Sequence, residues 1–406
     1  MGPIGPMRPI NPAACLEGLV SPPAPEAQCA PPGIGENRVK PTNHAIFESF
    51  PALRERLPIV PLAQLPTPIL EADVLAHKLN ALSVHIKRDD ISGEVYGGNK
   101  VRKLEFILGK ALAEGAKEVI TFGYAGSNHA LATAIYANRN GLRAVSLLLP
   151  QPNAHYVRRN LLAGHGVGAK LRQLSSRKAI VRRTVFESLI GRLRNLKAPV
   201  IIPPGGSSPL GAASFVNAAF ELKAQVDAGI LPKPGRIYIA MGSLGSSVGL
   251  LLGACAARLD TTIVAVRVTD DHIANIDTFR ALYDKTAALL READSSFPRV
   301  PFDPERLEMR HEFFGKEYAL WTNESAEAVR FMNEHLGLPL EGTYTGKALA
   351  AMMADGRSGK LRDKHVLFWN TYNSRDIGPI SSKDYRTLPG AFRRYFEDEI
   401  QPLDTD

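Results

Sequence analysis

The chain has 406 residues, 45% hydrophobic and 22% charged, with a formal net charge of +8. That length supports two domains with sizeable cores, and no apolar run approaches the roughly 18 residues a membrane span needs. Cys15, Cys29 and Cys255 are too few and too uneven for a disulfide framework, which points to a reducing, cytoplasmic setting.

Ten prolines between Pro3 and Pro41 argue against helix and sheet over residues 1–45, which read as an extended arm. The charged start and apolar core of a secretory signal are missing there. From about residue 50, strands and helices alternate. Val84–Lys87 reads as a strand and Lys100–Glu114 as a helix closed by Gly115. Glu118–Phe122 is a strand, Asn128–Asn140 a helix stopped by Gly141, and Ala144–Leu149 a strand. A helix starts over Tyr156–Leu162. Lys170–Leu174 and Val200–Ile202 are short strands around a basic helix. Pro209–Gln225 is helical, Arg236–Ala240 a strand, Ser246–Arg258 a helix and Thr262–Val268 a β-branched strand. Asn323–Leu336 and Gly346–Asp355 are helices, and Val366–Trp369 is the last strand. The alternation predicts an α/β fold with two doubly wound, mainly parallel sheets, one from residues 104–203 and one from the remainder. Cys255 falls in an apolar helix and is expected in the core.

Much of the excess charge clusters between Lys170 and Lys197, at Arg172, Arg177, Lys178, Arg182, Arg183, Arg192 and Arg194. No nucleic-acid motif accompanies it, so no nucleic-acid partner is expected and the cluster reads as a solvated helix face. No membrane partner is expected either.

Four segments carry chemistry. In Gly97-Gly98-Asn99-Lys100, two glycines let the backbone pass close to something bulky, and Lys100 sits at a helix mouth beside Arg102 and Lys103. A lysine amine becomes nucleophilic when burial or nearby cations lower its pKa, and Schiff-base chemistry with pyridoxal phosphate uses such a lysine. Read alone, Lys100 is better taken as an ordinary solvated lysine opening a basic helix. Gly123 to His129 places Ser127, Asn128 and His129 at a strand–turn–helix junction that suits a carboxylate, or simply caps a helix. The segment Gly242-Ser243-Leu244-Gly245-Ser246 suits a phosphate, though such a turn also lets a helix pack on a sheet. It lacks the P-loop lysine and the dinucleotide spacing. In Tyr344-Thr345-Gly346-Lys347, the Thr345 hydroxyl can cap a helix or meet a pyridine nitrogen without holding a proton there.

In this order the motifs resemble the pyridoxal-phosphate-dependent family of 1-aminocyclopropane-1-carboxylate (ACC) deaminase and D-cysteine desulfhydrase, of the tryptophan-synthase-β-like fold (fold type II). Lys87-Arg88-Asp89-Asp90, the Gly97–Glu105 run, Ser127-Asn128-His129, Gly205-Gly206-Ser207-Ser208-Pro209-Leu210-Gly211-Ala212, the Gly242–Gly249 loop and Tyr344-Thr345-Gly346-Lys347 carry the resemblance over residues 62–370. It implies pyridoxal phosphate in the cleft between a large domain (46–103 and 204–406) and a small domain (104–203), in a homodimer. Lys100 is then the Schiff-base lysine, with Lys103, Asn128, Gly242, Ser243, Gly245, Ser246 and Thr345 around the cofactor. Ser127, Asn128, His129 and Tyr318 are placed near the substrate. Lys100, Ser127 and Tyr344 are candidates for moving its α-proton, and no metal is implied.

The departures bear on the substrate. Thr345 matches the desulfhydrase branch, where ACC deaminases carry glutamate. Gly126 stands where the family has a bulkier glutamine, which is expected to enlarge the pocket. Leu244 interrupts the phosphate-loop glycines, and Asn370-Thr371-Tyr372-Asn373 replaces a glycine-rich wall, with Ser374 as another hydroxyl for the ring nitrogen. The expected activity is α,β-elimination from a small amino acid, releasing ammonia and a 2-oxo acid. The alternatives are ACC ring opening and cofactor binding without turnover.

Overall fold

A computed structural model describes Gly2, residues 44–378 and residues 384–405. The arm read over 1–45 lies almost wholly outside them, as do Cys15 and Cys29. Helices α1 (Ala45–Ser49) and α2 (Ala52–Arg56) lead into β1 (Ile69–Glu71), α3 (Asp73–Leu79) and β2 (Ser83–Lys87). Then come α4 (Asn99–Ala113), β3 (Glu118–Tyr124), α5 (Asn128–Arg139), β4 (Arg143–Leu149), α6 (His155–Gly166), β5 (Lys170–Gln173), α7 (Arg177–Asn195) and β6 (Val200–Ile202). The chain continues through α8 (Pro209–Asp227), β7 (Arg236–Met241), α9 (Gly245–Ala256), β8 (Thr262–Arg267), α10 (Ile276–Ala293) and β9 (Leu307–Arg310). It closes with α11 (Asn323–Leu336), α12 (Thr345–Arg357), β10 (His365–Trp369) and α13 (Arg394–Glu397).

Two sheets result, in the order β1-β2-β10-β7-β8-β9 and β5-β4-β3-β6. Among the described residues β1 alone pairs antiparallel, with Leu70 opposite Ile86. The remaining pairs are parallel, in registers such as Phe368 on Ile86 and Phe122 on Leu147. This is the expected α/β class. Strands β7, β8 and β10 are covered on both faces, which is why they read as nearly continuous apolar runs. On one face α9 lies against α8 at backbone distance. A Cβ on Gly249 would sit 2.1 Å from the Ala212 carbonyl oxygen, and one on Gly253 would sit 2.6 Å from the Ala219 Cβ. Cys255 lies at the margin of this core, part-buried beside Arg306.

Beneath the start of α4 lies a buried ion cluster of two cations and two carboxylates. Arg102 donates from Nε and Nη2 to Asp89 (2.9 and 2.8 Å), and from Nη1 to Glu221 Oε2 (2.8 Å). Lys87 Nζ donates to the other Glu221 oxygen at 2.6 Å. The Thr67 hydroxyl and Trp369 Nε1 complete Asp89 (2.9 and 2.8 Å). Burial alone would push the Glu221 carboxyl up, but the charges of Arg102 and Lys87 outweigh it and hold the group far below the usual carboxylate range. The stability this confers is present above an ordinary carboxylate pKa of about 4.3 and fades as pH falls below it.

Removing one member of such a cluster strands buried charge. Glu221→Ala is expected to cost about 3–5 kcal/mol in urea unfolding at pH 7. The deficit should shrink as the titration is repeated at lower pH. A loss under about 1 kcal/mol would mean that water reaches the cluster.

Candidate active site

The C-terminal ends of β3, β4, β7, β8 and β10 open into one cavity of about 630 Å³. The first turns of α4, α5 and α9 face it too, so three positive helix ends converge there.

Two glycines set the entry to α4. A Cβ on Gly97 would fall 1.9 Å from the Asp90 carbonyl oxygen, and one on Gly98 would fall 2.8 Å from that of Thr371. The bulky neighbour expected beside these glycines is therefore the chain's own backbone. Gly98 has φ +91°, a conformation that side chains resist. Asn99 donates from its backbone to the Thr371 carbonyl (3.2 Å) and from its side chain to Ser246 Oγ (2.9 Å).

Lys100 follows, and burial alone pulls its ammonium down to about 8. The sequence suggested that Arg102 would help. It does not, because Asp89 and Glu221 neutralise that guanidinium. Lys103 lies one turn on, lowered well below its ordinary range by burial and by the charge of Lys100. Its Nζ donates to the Gly205 carbonyl at 3.1 Å and lies 3.4 Å from Ser207 Oγ. Ser207 donates to Ser243 Oγ (2.9 Å) and accepts from the Gly245 amide (3.1 Å). Lys103, Ser207, Ser243 and Gly245 thus form one cradle at the mouth of α9, whose first-turn amides have no acceptor within their own helix. Ser207 was not among the expected site residues, although its Gly-Gly-Ser-Ser segment was visible.

At α5 the Ser127 hydroxyl caps the helix by accepting from the Ala130 amide (3.1 Å), and it also lines the cavity. Asn128 Oδ1 accepts from Asn160 Nδ2 (2.8 Å) and the Tyr96 hydroxyl (3.3 Å). His129 is buried, and neither ring nitrogen has a partner in good hydrogen-bond geometry. Burial, with Lys100 and Lys103 nearby, holds its imidazole well below the ordinary range. Gly126 does not enlarge the cavity. A Cβ there would meet Tyr156 and Val157 at 2.7 Å, so the glycine makes room for α6.

Across the cavity, Tyr318 stacks on Tyr124 with ring centroids 4.3 Å apart, and its hydroxyl bonds that of Tyr344. Burial raises both phenols. Thr345 is not among the lining residues. Its hydroxyl accepts from the Glu341 amide (3.1 Å) and stays within that turn. The Ser374 hydroxyl is buried without a hydrogen bond and also lies off the lining. The carboxyl group on the wall is Glu341, which the sequence reading missed. Its carboxylate accepts from the amides of Thr343, Tyr344 and Thr345 (2.9, 2.9 and 3.0 Å), yet burial still raises it. Thr371, Tyr372 and Asn373 form the substituted wall.

Residues 60–371 match the family described as pyridoxal-phosphate dependent enzyme. The chain belongs to that family. Within it, the chain is 31% identical over 325 residues to a D-cysteine desulfhydrase of Salmonella newport (strain SL254), covering 78% of this chain and 94% of that protein. It is 32% identical over 327 residues to the nocardicin C-9' epimerase of Nocardia uniformis subsp. tsuyamanensis, covering 80% and 95%. A solved ACC deaminase homologue superposes with TM-score 0.68 at 31% identity, covering 82% of this chain and 95% of that one.

Pyridoxal phosphate is an anionic aldehyde, and the residues present suit both properties. Lys100 offers an amine lowered by burial, and Lys103 a second amine beside a cradle of hydroxyl and amide donors. The family's cofactor therefore fits this cavity.

Gly97 gives a test of the local geometry. Gly97→Ala must move Asp90 or α4, and it is expected to cost about 2–3 kcal/mol in chemical unfolding and to weaken cofactor retention. Stability and cofactor content equal to the parent would show that the α4 entry yields freely.

Proposed function

We propose that this chain is a D-cysteine desulfhydrase-like lyase acting on a small β-substituted amino acid. Lys100 would hold the cofactor through its aldehyde carbon. The cradle of Lys103, Ser207, Ser243 and the α9 amides holds the phosphate, with Ser246 beside it. Ser127 and Asn128 at the α5 N-terminus receive the substrate carboxylate. The Ser127 hydroxyl accepts a capping bond but keeps its hydrogen to donate. When bound, the cofactor supplies an electron sink for the carbanion left at Cα. Lys100 would also take the substrate's α-hydrogen. With a pKa of about 8, about a tenth of such an amine is neutral at pH 7. Tyr318 and Tyr344 stay protonated; Tyr318 donates to Tyr344, which leaves the Tyr344 hydroxyl to donate to a departing thiolate rather than act as a base. The aminoacrylate left after loss of the thiolate takes up water and falls apart to ammonia and a 2-oxo acid.

The observation that carries this reading is the sharing of one cavity by a burial-lowered lysine and two neutral phenols. The likeness to a D-cysteine desulfhydrase supports it. Glu341 favours a second reading, ACC ring opening, because a carboxylate at the ring nitrogen would hold a proton there and strengthen the sink. A homodimer, a cytoplasmic setting and a division into a large lobe (46–103 and 204–406) and a small lobe (104–203) belong to the same proposal. The separate sheets support the division.

Release of 2-oxo acid from D-cysteine, L-cysteine, β-chloroalanine and ACC discriminates the readings. D-cysteine or β-chloroalanine is expected to turn over, with ACC near background. Turnover of ACC alone would select ring opening. Inversion of a chiral substrate without 2-oxo acid would select an epimerase, and silence on every substrate would leave a cofactor binder. Lys100→Ala should lose the bound chromophore and all turnover. For the parent apoprotein, the rate of cofactor loading should climb about tenfold per pH unit up to about 8 and then level. A flat profile from pH 6 to 9 would remove Lys100 as the attacking amine.

A further inference from the structure

The segment from 384 to 405 follows the last strand and packs along the loop before α6. Asn153 Nδ2 donates to the carbonyls of Tyr395, Asp398 and Glu399 (2.9, 3.0 and 3.2 Å). Arg158 donates to those of Tyr395 and Asp398 (2.6 and 2.8 Å). The buried Tyr395 hydroxyl accepts from the Gln151 amide at 3.1 Å, and Gln151 Oε1 accepts from the amide of Gly126, the residue before Ser127 (2.9 Å). The backbone of Gln401 is fixed by donation to the Asn153 carbonyl at 3.1 Å. Its half-buried side chain then reaches the turn that carries Tyr318. Gln401 Oε1 accepts from the Trp321 amide at 2.9 Å, and Nε2 donates to the Ala319 carbonyl at 3.2 Å. That turn lacks support of its own. Residues 315–321 belong to no helix or strand, and Ala319 sits at φ +69°, which a residue with a Cβ adopts only under strain. On its other side the Trp321 ring covers Gly342, where a Cβ would fall 2.1 Å from a ring carbon. Trp321 is thus held between Gln401 and the strand of residues leading to Tyr344.

We propose that Gln401 is a positioning residue whose side-chain amide clamps the Ala319–Trp321 turn and so holds the Tyr318 hydroxyl on that of Tyr344. This role rests on the reading of Tyr344 as the donor to a departing thiolate. A phenol has one hydrogen to give. While Tyr318 donates to Tyr344, the Tyr344 hydrogen is left for the leaving group. If the turn slackens, Tyr318 drifts and that hydrogen loses its fixed direction. Gln401 itself is not among the residues lining the cavity, so it acts through Tyr318 alone.

Gln401→Met keeps the length and bulk of the side chain and removes both bonds. In the cofactor-loaded full chain it is expected to lower kcat for D-cysteine about tenfold and to leave β-chloroalanine within about twofold of the parent. A thiolate is a basic leaving group that gains from a donor, whereas chloride departs without one. Tyr344→Phe should show the same split, and adding Gln401→Met to it should cost little more. Gln401→Glu keeps the Trp321 bond, loses the Ala319 bond, and should fall between the parent and Gln401→Met on D-cysteine. The Trp321 amide should exchange with deuterium about tenfold faster in Gln401→Met. Cofactor absorbance should be kept, and the melting temperature should stay within about 5 °C of the parent's. Equal slowing on both substrates, or an unchanged D-cysteine rate, overturns the proposal. A parent inert toward both substrates would refute the reading of the reaction instead. Exchange at Trp321 then decides the clamp, and exchange as slow in the variant as in the parent overturns it.

Discussion

The structure is organised around the charge cluster of Lys87, Asp89, Arg102 and Glu221. These four side chains come from β2, the turn after it, α4 and α8, and Trp369 ties in β10 through Asp89. Two cations and two carboxylates balance, which is what allows them all to be buried. Helix α4 is therefore held from below, and its next charged residues must face elsewhere. Lys100 and Lys103 turn into the cavity, while Glu105 accepts from the amides of Leu62 and Ala63 at 3.0 Å on another side. Because Arg102 is neutralised, the acidity of Lys100 is a matter of solvent exclusion. The site depends on dryness more than on a neighbouring cation.

Much of this was legible in the sequence. Buried parallel strands announce themselves through apolar runs, and glycine turns before helices marked the places where helix ends meet the cavity. Glycines 97 and 98 were noticed for the right reason, close approach, but the approaching group proved to be backbone. Long-range pairing hid the rest. Nothing local distinguishes Arg102, neutralised by residues 13 positions back and 119 ahead, from a free cation. Glu341 precedes the recognised Tyr-Thr-Gly-Lys segment by three residues and went unremarked. Only the turn that folds three amides onto it places it on the wall.

Some misses had a signal. Helix α10 went unread although Asn275 and Thr278 form a capping box and its apolar positions recur with helical period. Strands β1 and β9 are edge strands of three and four residues, too short for a pattern. Helix α7 was found through its charges, and the same attention to charge obscured the aliphatic residues between them. Burial of Glu187 is a tertiary fact, because its partner Lys170 comes from β5.

Leu244 links the cavity to the core in a way no glycine could. It holds φ +71° at the entrance to α9, and its side chain is buried in the cluster that includes Val248, Phe215 and Trp369. Such a backbone conformation costs on the order of 1–3 kcal/mol in a residue with a side chain, and burial of the leucine offsets it. The curvature of the loop is thus stored in hydrophobic packing. Repacking the interior several residues away becomes a way to adjust the width of the loop, and evolution can retune ligand affinity without touching a polar atom.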